Sequence, residues 1–214
     1  MQHTFDQKIT ARIAARNSPD HIRFRLTLRY VLLYLGLFVA GLLLCRTLHL
    51  TELPLTEKLL RTSMVSPLEN SLSARDSIRA ILMSARHEAI LLVFLLLSGM
   101  TMFTESACGI LLSLHGVLCG FFCYGSAILT ATQRIESGTR PFFVCFFAMW
   151  AVTVLLMSAS VDAIIFSYRY RDIGRGPRRE REAVAVRYIL LALTYIGTLA
   201  VIAAGRAWLL SIVS

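Results

Sequence analysis

The sequence predicts an all-α protein, a polytopic transmembrane helical bundle of about five transmembrane helices with its N-terminus inside. The 214 residues are 56% hydrophobic, and their mean hydropathy is +0.64, which is typical of a chain that spans a membrane repeatedly. Residues 89–133 contain one carboxylate, Glu105, and one histidine, His115. Because one crossing needs about 20 apolar residues, this stretch predicts two helices joined by a tight turn near Thr104-Glu105-Ser106.

The remaining elements follow from apolar runs and their polar borders. Residues 1–29 form a basic segment, which either anchors on the membrane surface or only sets the topology, and residues 30–214 form one transmembrane domain. Pro141 suits the first turn of a helix, and Gly174 and Pro177 interrupt an arginine-rich stretch. The predicted helices span residues 30–48, 89–104, 107–130, 142–168 and 188–206, with an outer loop at 49–88 and an inner loop at 169–187.

Basic residues predict the orientation. With the N-terminus inside, the inner segments carry thirteen Lys and Arg residues and the outer segments nine, five of them spread over the long loop, as the positive-inside rule requires. These cations flank apolar runs, which favours anionic lipid headgroups as partners and excludes nucleic acid. The location is then a cell membrane, crossed several times. The arginines expected to set the topology are Arg23, Arg25, Arg29, Arg169, Arg171, Arg175, Arg178, Arg179 and Arg181.

Small residues predict where helices approach closely. Gly116 and Gly120 lie four residues apart on one face of the third helix, and Gly109 extends that face. In lipid, small residues allow backbones to come near each other and improve van der Waals packing. The third helix is therefore expected to be the central, most tightly packed element. Packing within one copy is favoured over dimerisation, which stays open.

Several polar residues lie inside the apolar runs and are candidates for a chemical site. His115, Cys119 and Cys123 recur every four residues, but no His/Cys pair faces them on another helix, and a zinc site needs about four ligands. The sequence thus predicts no catalytic residue, no cofactor and no metal site. Asp162 is expected to be either a proton or ion relay or, preferably, a carboxylate that pairs with Arg169 or faces the bundle.

Residues 73–126 resemble the stage II sporulation protein M family. The resemblance rests on Arg75-Asp76 before a helix, on Gly99 just before the turn, and on the paired glycines Gly116 and Gly120. His115 stands where that family often has a basic residue or asparagine. The absence of proline within 142–168 and the longer arginine-rich loop also depart from its pattern.

This resemblance implies a non-enzymatic bacterial membrane protein. Its members organise partners, including peptidoglycan-degrading enzymes of a cell-wall hydrolase complex, at the septal membrane during engulfment of the forespore. Residues 52–87 are then expected to dock the partners, whereas Gly99, Gly116 and Gly120 hold the bundle together. The alternative is a membrane subunit of a transporter or exporter, served by an ATPase, in which His115 and Asp162 line a path.

Overall fold

The described part of the chain consists of α-helices joined by turns. A computed structural model describes residues 19–47, 85–131, 139–173 and 178–213. The predicted sites at residues 1–18, at 48–84 of the outer loop and at Arg175 lie outside these ranges. The helices are α1 (Pro19–Thr47), α2 (Arg86–Ser98), α3 (Thr104–Ala131), α4 (Thr139–Asp172) and α5 (Arg178–Val213).

The predicted all-α bundle is confirmed, and four of its described helices are long and apolar enough to cross a membrane. These stretches are Ile22–Thr47, Thr104–Gly125, Phe143–Asp172 and Arg179–Leu209. As described, α2 has only 13 residues, or about 20 Å at 1.5 Å per residue, against a hydrocarbon core of about 30 Å. The second helix was predicted over 89–104, but it begins three residues earlier, at Arg86, and ends six residues earlier, at Ser98.

The turn between α2 and α3 explains this early end. The prediction placed Glu105 in the turn, but Glu105 lies in the first turn of α3, and residues 99–103 form the turn. The Thr104 hydroxyl donates to the Ser98 carbonyl over 2.8 Å, which caps the end of α2. A Cβ at Gly99 would collide with the hydroxyl of Tyr188, and this hydroxyl donates to the Leu96 carbonyl over 2.6 Å. Glycine at this position leaves room for the Tyr188 hydroxyl, through which α5 satisfies a carbonyl at the end of α2.

The paired glycines of α3 pack against α1 of the same chain. A Cβ at Gly120 would collide with the carbonyl oxygen of Phe38 and lie 3.0 Å from the nitrogen of Leu42. A Cβ at Gly116 would lie 3.2 Å from the Tyr34 ring. On the other side, a Cβ at Gly41 would collide with the Val117 carbonyl. Backbone therefore meets backbone along this contact, the geometry that small residues allow in lipid.

One expectation about α3 is wrong, and a second is right only in part. A Cβ at Gly109 would meet no atom within 4 Å, so this glycine does not extend the close contact. The helix α3 does make the closest backbone contact, with α1, but the central position belongs to α4, which contacts each of the other four described helices. Its middle carries small, fully buried residues, among them Ala159, Ser160 and Ala163 at 0% exposure. These small side chains leave room for neighbouring helices on several sides of α4, whereas the paired glycines of α3 contact α1 only.

Candidate functional site: polar contacts between the helices

A buried polar cluster joins α1, α3 and α4 midway along the bundle. His115 is 8% exposed, and its Nε2 lies 3.3 Å from the Thr153 hydroxyl oxygen. The Tyr34 hydroxyl lies 3.1 Å from the same oxygen, and the Tyr34 and His115 rings stand 6.0 Å apart. Cys119, one turn after His115 on α3, completes what we call the central cluster.

The central cluster is connected through the Thr153 hydroxyl and the His115 ring. The Thr153 hydroxyl donates to the Met149 carbonyl over 2.9 Å, so its lone pairs are available to accept from the Tyr34 hydroxyl and from His115. The Sγ atom of Cys119 lies 3.4 Å from Nε2 and 3.9 Å from Nδ1 of His115. The same ring nitrogen, Nε2, therefore faces both Thr153 and Cys119.

The arrangement of the central cluster suits the association of helices better than it suits metal binding or catalysis. Within the described residues, no group of three or more His, Cys, Asp or Glu side chains is close enough to hold a metal ion. A nucleophilic Cys–His pair must also be reached by its substrate, whereas His115 and Cys119 are only 8% and 5% exposed. Interhelical hydrogen bonds of this kind stabilise membrane bundles by about 0.6 kcal/mol each on average.

A second cluster joins α1, α4 and α5 around Asp162, near the end of the bundle that carries the α2–α3 turn. We call this end the turn end. The Arg23 guanidinium lies 2.9 Å from one carboxylate oxygen of Asp162, and the Tyr195 hydroxyl donates to the other oxygen over 2.5 Å. The carboxylate is 11% exposed and Arg23 is 55% exposed. Asp162 is therefore paired with a cation, but the cation is Arg23 and not the expected Arg169.

A third set of contacts surrounds Glu105, also at the turn end. The Tyr168 hydroxyl donates to the Glu105 carboxylate over 2.7 Å, and the Tyr30 hydroxyl donates to the Glu105 carbonyl over 3.4 Å. Arg171 donates to the Thr101 carbonyl over 3.0 Å. Glu105, Tyr168 and Arg171 line an open cleft of about 140 Å³ between α3 and α4.

An ion pair joins α2 and α5 towards the opposite end. The Arg206 guanidinium lies 3.3 Å from Oε1 of Glu88, and the two side chains are only 16% and 20% exposed. Oε2 of Glu88 is buried without a hydrogen-bond partner. Because a charge in an apolar surrounding needs a counter-ion, this pair couples the short helix α2 to α5.

The predicted site residues are therefore distributed over separate contacts. His115 and Asp162 do not meet, since Thr153, the α4 partner of His115, precedes Asp162 by nine residues, or about 13 Å of helix. Among the topology-setting arginines, Arg23 and Arg171 make the contacts above. Exposed side chains are found for Arg25, Arg29, Arg169 and Arg179.

The tyrosines are the polar residues that the sequence analysis missed. Tyr30 and Tyr34 lie one turn apart and are 4% and 0% exposed, and Tyr188 stacks on Phe166 with ring centroids 3.9 Å apart. One sequence signal for the first pair exists: Tyr30, Tyr34, Gly41 and Cys45 recur at helical spacing, and all four are buried. Such a stripe predicts the packed face of α1.

Comparisons with protein-family models, with curated proteins and with solved structures give no match for this chain.

Proposed function

We propose that this protein is a non-enzymatic scaffold of a cell membrane, a closed helical bundle that holds protein partners at the lipid surface. The observation that carries the proposal is the central cluster, in which His115, Tyr34 and Thr153 satisfy one another across three helices. These polar groups link α1, α3 and α4, and Tyr34 and His115 are only 0% and 8% exposed. We therefore infer that they hold the helices together, as interhelical hydrogen bonds do in membrane bundles.

The partner-binding segment that we assign is residues 52–87 of the outer loop. This stretch joins α1 to α2, and only its last residues, from Ala85, fall within the described ranges. The resemblance of residues 73–126 to the stage II sporulation protein M family supports a cell-wall hydrolase complex as the partner and a sporulation septum as the place. Residues 169–187, rich in arginine, are predicted to lie on the other side of the membrane.

Photo-crosslinking in cells tests this function with the full chain. A photoreactive amino acid at Leu55, Leu59 or Arg79 is expected to capture a cell-wall hydrolase. The matched control places the same group at Leu193 on α5, whose side chain is 58% exposed on the apolar surface and is expected to capture lipid. If the loop positions capture only lipid, or if their main protein product is an ATPase, the scaffold proposal is wrong.

A membrane subunit of a transporter is the second candidate, and one observation favours it. Polar side chains from α1, α3 and α4 do converge within the apolar region, as a transport path requires. Under the scaffold proposal, vesicles containing the purified full chain are expected to pass ions and small solutes no faster than empty vesicles. Flux that Thr153→Val abolishes would overturn this expectation. Thr194→Val is the control, because that exposed hydroxyl donates only to the Leu190 carbonyl of its own helix.

A further inference from the structure

We propose that the cleft between α3 and α4 at the turn end binds the headgroup of a phosphatidylethanolamine-type lipid. Its ammonium would bind Glu105 and its phosphate would bind Arg171. This site does not depend on the scaffold function, since it concerns the bundle itself and not its protein partners. We call it the headgroup cleft.

The size and lining of the headgroup cleft suit a small polar group. Its volume is about 140 Å³, well below the roughly 300–1,000 Å³ of pockets for drug-sized ligands. Thr104, Ser106 and Ser167 line it beside the two charged residues. A phosphoethanolamine unit carries an ammonium and a phosphate close together. It is therefore complemented by hydroxyl and charged side chains that lie near each other.

The two charged residues of the headgroup cleft, Glu105 and Arg171, do not pair with each other. In the described part of the chain, Glu105 and Arg171 form no ion pair with one another, although both line the same cleft. Glu105 accepts one hydrogen bond, from Tyr168, and a carboxylate has about four acceptor positions. Arg171 uses one donor on the Thr101 carbonyl, and a guanidinium has five. A dipolar ligand with a cation and an anion therefore complements the cleft, whereas a purely anionic headgroup would meet the Glu105 carboxylate.

The residues beside the headgroup cleft place it at the level of lipid headgroups. Met102 and Phe103, at the tip of the α2–α3 turn, are 81% and 75% exposed. Large apolar side chains at the end of a membrane bundle are stable when they enter the boundary between headgroups and acyl chains. The neighbouring Tyr168 is a residue that favours the same boundary. A lipid, rather than a soluble metabolite, is therefore the occupant that we assign.

Native mass spectrometry of the full chain in detergent tests the proposal through lipid selectivity. Phosphatidylethanolamine is expected to bind about tenfold more tightly than phosphatidylglycerol, because each charge-assisted hydrogen bond contributes about that factor. Phosphatidylcholine, whose quaternary ammonium has no N–H donor, is expected to bind as weakly as phosphatidylglycerol. Free phosphoethanolamine at equal concentration is expected not to displace the lipid, because it lacks acyl chains.

Charge-neutralising variants locate the site. Glu105→Gln keeps an acceptor for Tyr168 but removes the negative charge, and Arg171→Gln removes the positive charge. Each is expected to abolish the preference for phosphatidylethanolamine, whereas the exposed control positions Glu180→Gln and Arg169→Gln are expected to keep it.

Three results would overturn the assignment. If the wild-type protein binds phosphatidylglycerol as tightly as phosphatidylethanolamine, the site does not recognise a dipolar headgroup. This test uses the wild-type protein, so its outcome does not depend on whether a variant folds. A preference that survives in Glu105→Gln places the lipid elsewhere. Displacement by free phosphoethanolamine at equal concentration assigns the cleft to a soluble ligand.

Discussion

Substitution of Gly120 with alanine is expected to lower the free energy of unfolding by about 1–3 kcal/mol, the usual cost of overpacking a tight contact. The added Cβ would collide with the Phe38 carbonyl and press on the Leu42 nitrogen. Both obstacles are backbone atoms of α1, so no side-chain rotation relieves them. The helices must instead move apart, which weakens the closest contact in the bundle.

Reversible unfolding of the purified protein in mixed micelles, followed by circular dichroism, measures this change. Gly109→Ala is the matched control, because it makes the same substitution on α3 where an added Cβ meets no atom within 4 Å. We expect Gly109→Ala to leave the free energy of unfolding unchanged or slightly higher, since alanine favours a helix more than glycine does. Equal effects of the two substitutions would contradict the close α1–α3 contact.

Substitution of Asp162 with alanine is expected to lower the free energy of unfolding by about 1–3 kcal/mol. The change removes the partner of Arg23 and leaves the Tyr195 hydroxyl without its acceptor in a partly buried place. Breaking a fully buried ion pair costs about 3–5 kcal/mol. The expected cost here is smaller because Arg23 is 55% exposed and reaches water or headgroups once released.

The same unfolding measurement separates the two contacts of Asp162. Arg23→Ala is expected to cost less than about 1 kcal/mol, the usual contribution of an exposed ion pair, because Tyr195 keeps its hydrogen bond. Asp172→Ala, an exposed aspartate at the end of the same helix, is the control and is expected to change little. If Asp162→Ala is as stable as Asp172→Ala, then Asp162 does not tie the three helices together.

The hydrophobicity of the sequence predicts the helices, but it does not predict which helices pack against each other. Long apolar runs predict α1, α3, α4 and α5, because a buried or lipid-facing helix must avoid unpaired polar groups over its whole length. The paired glycines of α3 predict a close contact without naming the partner. That partner is α1, with Gly41 on the other side, and this choice depends on which surfaces fit each other in space.

The polar contacts were predictable only in part. Asp162 was expected to need a counter-ion, and a cation within the same helix, Arg169, was the nearest choice along the sequence. The partner is Arg23, 139 residues away. The position of the turn was wrong for a similar reason: the end of α2 contacts Tyr188 on a distant helix, and the pattern within residues 89–133 contains no information about that residue.

The contact between α1 and α3 also bears on how the protein enters the membrane during synthesis. Gly41 and Gly120 are 79 residues apart in the sequence, and ribosomes add about 5–20 residues per second. The first helix therefore resides in the lipid for about 4–16 s before its closest neighbour has been made. During that interval the hydroxyls of Tyr30 and Tyr34 lack their native partners, so α1 must be retained in the lipid without these two hydrogen bonds.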